Sequence, residues 1–145
     1  DVMNRLTYLI LPQKIYMGEK DFQQLYLVKK FIEKRYKSKI VSCKTIRNKH
    51  KLALSSRIFL LKKKDINKAQ KLSENLLFYK KRLGKKRIVE TNLKIYKKKL
   101  EQKYKIDIDY LELRSKIDLS KSNLTKNSKL FIAYFINNVR LIDNF

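Results

Sequence analysis

Lys14-Ile15-Tyr16-Met17-Gly18-Glu19-Lys20-Asp21-Phe22-Gln23-Gln24-Leu25 is the stretch that decides how the chain folds. Lys14 to Met17 carries the β-branched and aromatic residues of a short strand, and Gly18 supplies a turn that a residue without a Cβ makes at little cost. Beyond it, Phe22, Leu25, Val28 and Ile32 recur at helical spacing, leaving Lys29, Lys30, Glu33 and Lys34 for the wet face. Ile40 to Cys43 follows as a second strand, and a helix between two strands implies a right-handed parallel crossover. Parallel sheets are buried on both faces and need neighbours, so further strands are expected before Asp1. The opening agrees: the chain starts at Asp1 and not Met, the helical spacing of Val2, Leu6, Leu9 and Ile10 begins at once, and Pro12 ends it. A piece of a longer chain is the expectation.

Downstream the pattern changes. Thr45 to Leu60 reads as a loop carrying Ser55, Ser56 and Arg57. A helix then places Ile66, Ala69, Leu72, Ser73 and Leu76 on one face and ends near Gly84, where Lys80, Lys81 and Arg82 suit a helix C-terminus. Val89, Leu93, Tyr96 and Leu100 form the stripe of a second helix. Ile106, Ile108 and Tyr110 alternate with Asp107 and Asp109 as a strand; Leu130 to Ile136 and Val139 to Ile142 read as two more, joined by a tight turn at Asn137 and Asn138. The fold class predicted is α/β followed by α+β.

The formal net charge of +24, from 37 Lys and Arg against 13 Asp and Glu, puts nucleic acid or an anionic membrane among the partners to consider. The positive residues are mostly Lys, spread along the chain with abundant Ile, Asn and Tyr, a mixture an AT-rich genome produces without selection for binding. Solvated lysines are therefore expected, with weak salt-sensitive adhesion to polyanions; a basic nucleic-acid-binding module, with Tyr and Phe engaging the polyanion, is the alternative. No run of about 20 apolar residues is present, and no signal peptide, so a soluble cytoplasmic protein without membrane partners is expected. With a single cysteine, Cys43, an intrachain disulfide and a Cys-based zinc site are excluded; lying in an apolar run, the thiol is expected to be buried and unreactive. His50, the lone histidine, lacks the partners of a metal ligand or a catalytic base, so no metal site is predicted.

Two segments carry chemistry. Gly18 to Gln24 sits where a parallel strand ends and a helix begins, the junction at which open α/β sheets bind nucleotides through free backbone donors. Lys20 can meet a phosphate and Asp21 can accept from ribose hydroxyls; a Gly turn followed by an Asp N-cap and a solvated Lys is the plainer reading. Leu52-Ala53-Leu54-Ser55-Ser56-Arg57 offers two hydroxyls and a guanidinium to one phosphate chain, or an ordinary Ser cap before a helix with an exposed Arg. Asp107 and Asp109 share one strand face, which reads as a solvated face.

Taken in order, MGEKDFQQLYL at Met17 to Leu27, KLALSSRIFL at Lys51 to Leu60 and RLIDN at Arg140 to Asn144 resemble the pantothenate synthetase family. The resemblance runs from the opening helix to the final turn and is to the C-terminal half. It implies that residues 1–60 are the C-terminal remnant of a Rossmann-like nucleotidyltransferase domain with its phosphate loop, and 61–145 a small α+β lid-like domain, with the active site between them. The family adenylates pantoate with ATP and Mg2+, and the amine of beta-alanine then displaces AMP; the full-length enzyme is expected to be a homodimer. By analogy Gly18 and Asp21 hold ribose, Lys20 meets ATP phosphate, Gln24 hydrogen-bonds pantoate, and Ser55, Ser56 and Arg57 cradle the phosphates, with Lys20 and Arg57 the catalytic pair. The chain departs from the family where His50 and Lys51 replace Asp-Gly and Ile58 replaces Asn, which puts the loop geometry in question. The family's HIGH-like histidines have no counterpart, so the chain alone is expected to be inactive.

Overall fold

The computed structural model describes residues 2–84 and 90–145, which fold as two compact units, Asp1–Thr45 and Ile46–Phe145.

In the first unit, helix α1 (Val2–Ile10) leads to strand β1 (Lys14–Gly18), a 3-10 turn (Glu19–Asp21), helix α2 (Phe22–Arg35) and strand β2 (Lys39–Cys43). β1 and β2 pair in parallel, Ile15 opposite Ile40 and Gly18 opposite Cys43, as the strand, helix, strand reading requires. Leu25, Val28 and Ile32 of α2 and Ile40 of β2 form the core, with Met3, Ile15, Met17, Phe22 and Tyr36 packed around it. The evenly spaced Val2, Leu6, Leu9 and Ile10 of α1 are exposed. The inward side of that helix is instead Met3 and Thr7, one turn apart, with the Thr7 hydroxyl donating to the Met3 carbonyl at 2.7 Å. Cys43 is also exposed, contrary to expectation: it ends β2, in which only Ile40 is fully buried.

The second unit begins earlier than the expected boundary after residue 60. Residues 46 to 54 are not a plain loop: Arg47 bridges Ala53, Leu54 N donates to the Ile46 carbonyl, and the segment turns back at Asn48 to Lys51. A 3-10 helix, Ser56–Leu60, follows. Leu52 and Leu61 are buried in the second unit's core, which fixes the segment there. Helix α3 (Lys63–Leu83) ends at Gly84, whose φ of 53° and ψ of −126° lie in a positive-φ region that glycine enters freely. Helix α4 (Glu90–Tyr104) buries Leu93 and Leu100; the Val89 of its expected stripe lies outside the described residues.

Strands β3 (Asp107–Ser115), β4 (Ser128–Ile136) and β5 (Val139–Asn144) form an antiparallel sheet in that order. β3 runs further than the alternation at its start shows, because a bulge at Asp109 shifts the phase: Ile108 is buried before it, Leu111 and Leu113 after it. β4 is central and almost wholly buried, which explains its unbroken apolar run. Asn137 and Asn138 join β4 to β5 with φ of 48° and 64°, the two successive left-handed residues of a type I′ hairpin. Asn137 also donates to the buried Asp65 carboxylate at 2.6 Å, tying that turn to the start of α3.

Burial pushes the phenols of Tyr79, Tyr96, Tyr110 and Tyr134 above their ordinary value near 10. Tyr79 and Tyr96 stack with ring centroids 3.7 Å apart, and Tyr96 donates to Asn75. A group protonated more tightly when folded leaves stability unchanged below the unfolded pKa and lowers it above, because the unfolded chain gives up its protons first. Stability is therefore expected to hold through neutral pH and to fall above about pH 10, with these tyrosines ionising after the exposed ones. Tyrosinate absorbance followed against circular dichroism tests this. Titration of all nine tyrosines in one step near the ordinary value, with the fold intact, would refute it.

Candidate functional site

The first candidate cluster lies at the end of β1. Gly18 closes the strand with φ −73° and ψ 135°, an extended conformation open to any residue, so the glycine is not there for its backbone freedom. Apart from its own chain neighbours, no atom stands within 4 Å of where a Cβ would project. Glycine at this place leaves open surface beside the backbone. Lys20 and Asp21 follow in the 3-10 turn, and Gln24 comes one turn after Lys20 on the exposed side of α2. Asp21 occupies the N-cap position of α2 but makes no capping bond with its side chain, so the plainer N-cap reading is not what its carboxylate does. The Glu19 carboxylate accepts from the Ser42 hydroxyl at 2.8 Å, fastening the turn to β2.

The second cluster is Ser55, Ser56 and Arg57. Ser55 caps the 3-10 helix, its hydroxyl accepting from Arg57 N at 3.1 Å, and Ser56 and Arg57 are exposed. The Arg57 guanidinium donates to the Arg140 carbonyl at 2.9 Å. Arg140 in turn pairs with Asp109 at 2.8 Å, half exposed on both sides. A capped turn with a hydroxyl and a guanidinium on its open side is a donor set suited to phosphate oxygens.

The turn before it explains two departures from the family pattern. Lys51 has φ 64°, so the position that the family fills with glycine keeps the left-handed conformation, at a cost of about 1 kcal/mol for a residue with a Cβ. Asn48 holds it: its side-chain oxygen accepts from His50 N at 3.0 Å and Leu52 N at 3.1 Å, and its carbonyl accepts from Lys51 N at 2.9 Å. Ile58 packs against the core instead of presenting a hydrogen-bonding group. His50 lies 3.2 Å from Glu74, both about half exposed, an ordinary surface contact.

Arg47 and Asp143 did not stand out in the sequence. The Arg47 guanidinium forks onto both Asp143 oxygens at 2.7 and 2.8 Å, with the side chains 19% and 4% exposed. The signal available was Asp143 itself, two residues after Leu141 and so on the same face of a buried strand, where a carboxylate demands a partner. Among the described residues no three His, Cys, Asp or Glu side chains come together as a metal site, and no helix is long and apolar enough to cross a membrane.

Comparison with known proteins covers the whole chain. The family model described as pantoate-beta-alanine ligase matches residues 1–145. A pantothenate synthetase of Flavobacterium psychrophilum is 35% identical over 147 residues, covering 99% of this chain and 52% of that protein. The crystal structure of pantothenate synthetase from Thermus thermophilus superposes with a TM-score of 0.84 at 30% identity, covering 99% of this chain and 53% of its own. That of pantoate-beta-alanine ligase from Francisella tularensis, complexed with beta-gamma ATP and beta-alanine, gives 0.74 at 30% identity, covering 99% and 47%. The chain spans about half the length of the curated relatives it matches.

Proposed function

The chain belongs to the pantoate-beta-alanine ligase family, and from that premise we propose that it supplies ribose- and phosphate-binding groups to an AMP-forming ligase joining pantoate to beta-alanine. In the reaction, a pantoate carboxylate oxygen attacks the α-phosphorus of ATP and pyrophosphate leaves. The amine of beta-alanine then attacks the acyl carbon of the resulting pantoyl-adenylate, AMP departs and the nitrogen loses a proton. Neither step needs a protein nucleophile; positioning and neutralising the phosphate charge are what side chains contribute.

Gly18 and Asp21 hold the ribose in this reading, Lys20 faces the phosphates, Gln24 hydrogen-bonds pantoate, and Ser55, Ser56 and Arg57 cradle the phosphate chain. Lys20 and Arg57 bring the positive charge that offsets the charge gathering on the departing pyrophosphate. The donor set fits ATP because Ser56 and Arg57 are exposed on a turn whose backbone is already capped. Mg2+ would be carried by the triphosphate oxygens, since no acidic cluster among the described residues offers it a cage. A homodimeric, cytoplasmic enzyme goes with the proposal.

The observation that carries the reading is Gly18. Nothing in the fold requires glycine there, and the space beside it is open, which is what a closely approaching ligand needs. Gly18→Ala is therefore expected to leave the melting temperature unchanged or slightly higher, since alanine in a strand is favoured by about 0.5–1 kcal/mol. ATP affinity, read by calorimetric titration, should fall at least about tenfold, or 1.4 kcal/mol. Unaltered ATP affinity in a folded Gly18→Ala protein would remove the nucleotide from this end of the strand. Polyanion adhesion predicts the opposite, a binding lost with salt and indifferent to residue 18.

A further inference from the structure

Beside Asn48, the turn that leads into Ser55, Ser56 and Arg57 is held by the mostly buried side chain of Arg47. Arg47 Nη1 donates to Asp143 Oδ2 at 2.7 Å and to the Lys51 carbonyl at 2.9 Å; Nη2 donates to Asp143 Oδ1 at 2.8 Å and to the Asn144 carbonyl at 2.9 Å. The guanidinium carbon lies 4.7 Å from the centre of the Phe145 ring, a cation–π distance. Asp143 is fixed independently, accepting from Asn144 N at 2.7 Å. The Lys51 carbonyl belongs to the residue held at positive φ, so Arg47 stabilises the least favourable backbone of the turn. From that turn Leu52 and Ala53, both buried, run back beside Arg47 and deliver the chain to Ser55.

A second arginine reaches the same strand. Arg57 touches the Arg140 carbonyl near the start of β5, and Arg47 grips Asp143 and Asn144 at its end. The two contacts differ in kind. Arg57 makes one bond to a neutral carbonyl at the surface, which a phosphate can replace at little cost. Arg47 makes a forked, charge-assisted set in a mostly buried place, where exchange for solvent is unfavourable.

We propose that Arg47 is a positioning residue that, through Asp143 and the Lys51 carbonyl, sets the backbone of the Ser55 to Arg57 turn while leaving Arg57 free to change partners. This rests on the phosphate-binding role assigned above to that turn. Lysine cannot substitute, because it carries the charge without the planar fork that joins a carboxylate and two carbonyls at once.

The test compares the 145-residue protein with its Arg47→Lys, Asp143→Asn and Arg57→Ala variants by amide hydrogen exchange and by titration with ATP. Arg47→Lys and Asp143→Asn should speed exchange at residues 53–57 by at least about tenfold more than at the β4 amides, whose exchange follows only the loss of global stability, and weaken ATP binding by about tenfold or more. Arg57→Ala should weaken ATP binding equally with the turn's exchange unchanged. Unchanged exchange at 53–57 in both clamp variants overturns the proposal. So does β4 exchange rising in step with the turn, which would make the clamp a general brace of the unit. Asp143→Asn, an isosteric change, keeps the test open if Arg47→Lys fails to fold. ATP binding indifferent to Arg57→Ala, with the turn still loosened by Arg47→Lys, would overturn the phosphate reading while upholding the positioning of the turn.

Discussion

Asp143→Ala is expected to destabilise the second unit by about 3–5 kcal/mol, the range for removing one partner of a buried ion pair. Asp143 is 4% exposed and receives both Arg47 nitrogens and Asn144 N, so truncation leaves a guanidinium in a mostly closed place without its counter-charge. The neighbouring Asp109 and Arg140 pair provides the contrast. Both of its side chains are 40% or more exposed, water replaces either partner, and Asp109→Ala should cost no more than about 1 kcal/mol. Urea denaturation of the two variants side by side measures the difference. Equal midpoints would show that the clamp contributes no more than a surface pair.

The 145-residue chain alone is expected to release no measurable AMP from ATP, pantoate and beta-alanine, while still binding ATP weakly and in a salt-sensitive way. It carries Lys20, Asp21, Ser55, Ser56 and Arg57 but no HIGH-like histidine pair, and its one histidine contacts Glu74 at the surface. Residues that act as a unit in a transition state fail together when part of the unit is absent. Within a full-length enzyme that contains this sequence, Lys20→Ala should slow adenylation at least about tenfold, corresponding to roughly 1.4 kcal/mol. Pyrophosphate release under single-turnover conditions reads that step directly. Ready turnover by the chain alone would contradict the first expectation, and a Lys20→Ala enzyme with unaltered adenylation would contradict the second.

Local patterns made most of the fold legible. The helical spacing of Leu25, Val28 and Ile32, bracketed by two short apolar runs, was enough to specify parallel pairing of β1 and β2. Adjacent asparagines at 137 and 138 were enough for the β4–β5 hairpin, because few residues besides Asn and Gly accept two successive left-handed conformations. What stayed hidden depended on partners far away in sequence. Arg47 and Asp143 are 96 residues apart, and neither has a local pattern that names the other. The inward face of α1 was hidden for a related reason: Thr7 satisfies its hydroxyl within the helix and can be buried, so the more apolar residues need not be the inward ones. At Gly18 the motif was visible but its physical reason was not. Only the structure shows that the backbone angles there suit any residue and that the space beside the glycine is open.

The register of the small parallel sheet puts Cys43 directly opposite Gly18, and Cys43 is exposed and the chain's sole thiol. A maleimide dye would therefore attach at a single place, about one strand spacing of 4.8 Å from the backbone where ribose is proposed to lie. Its emission would report arrival of a nucleotide without any engineered cysteine, and quenching on addition of ATP would be readable without any turnover.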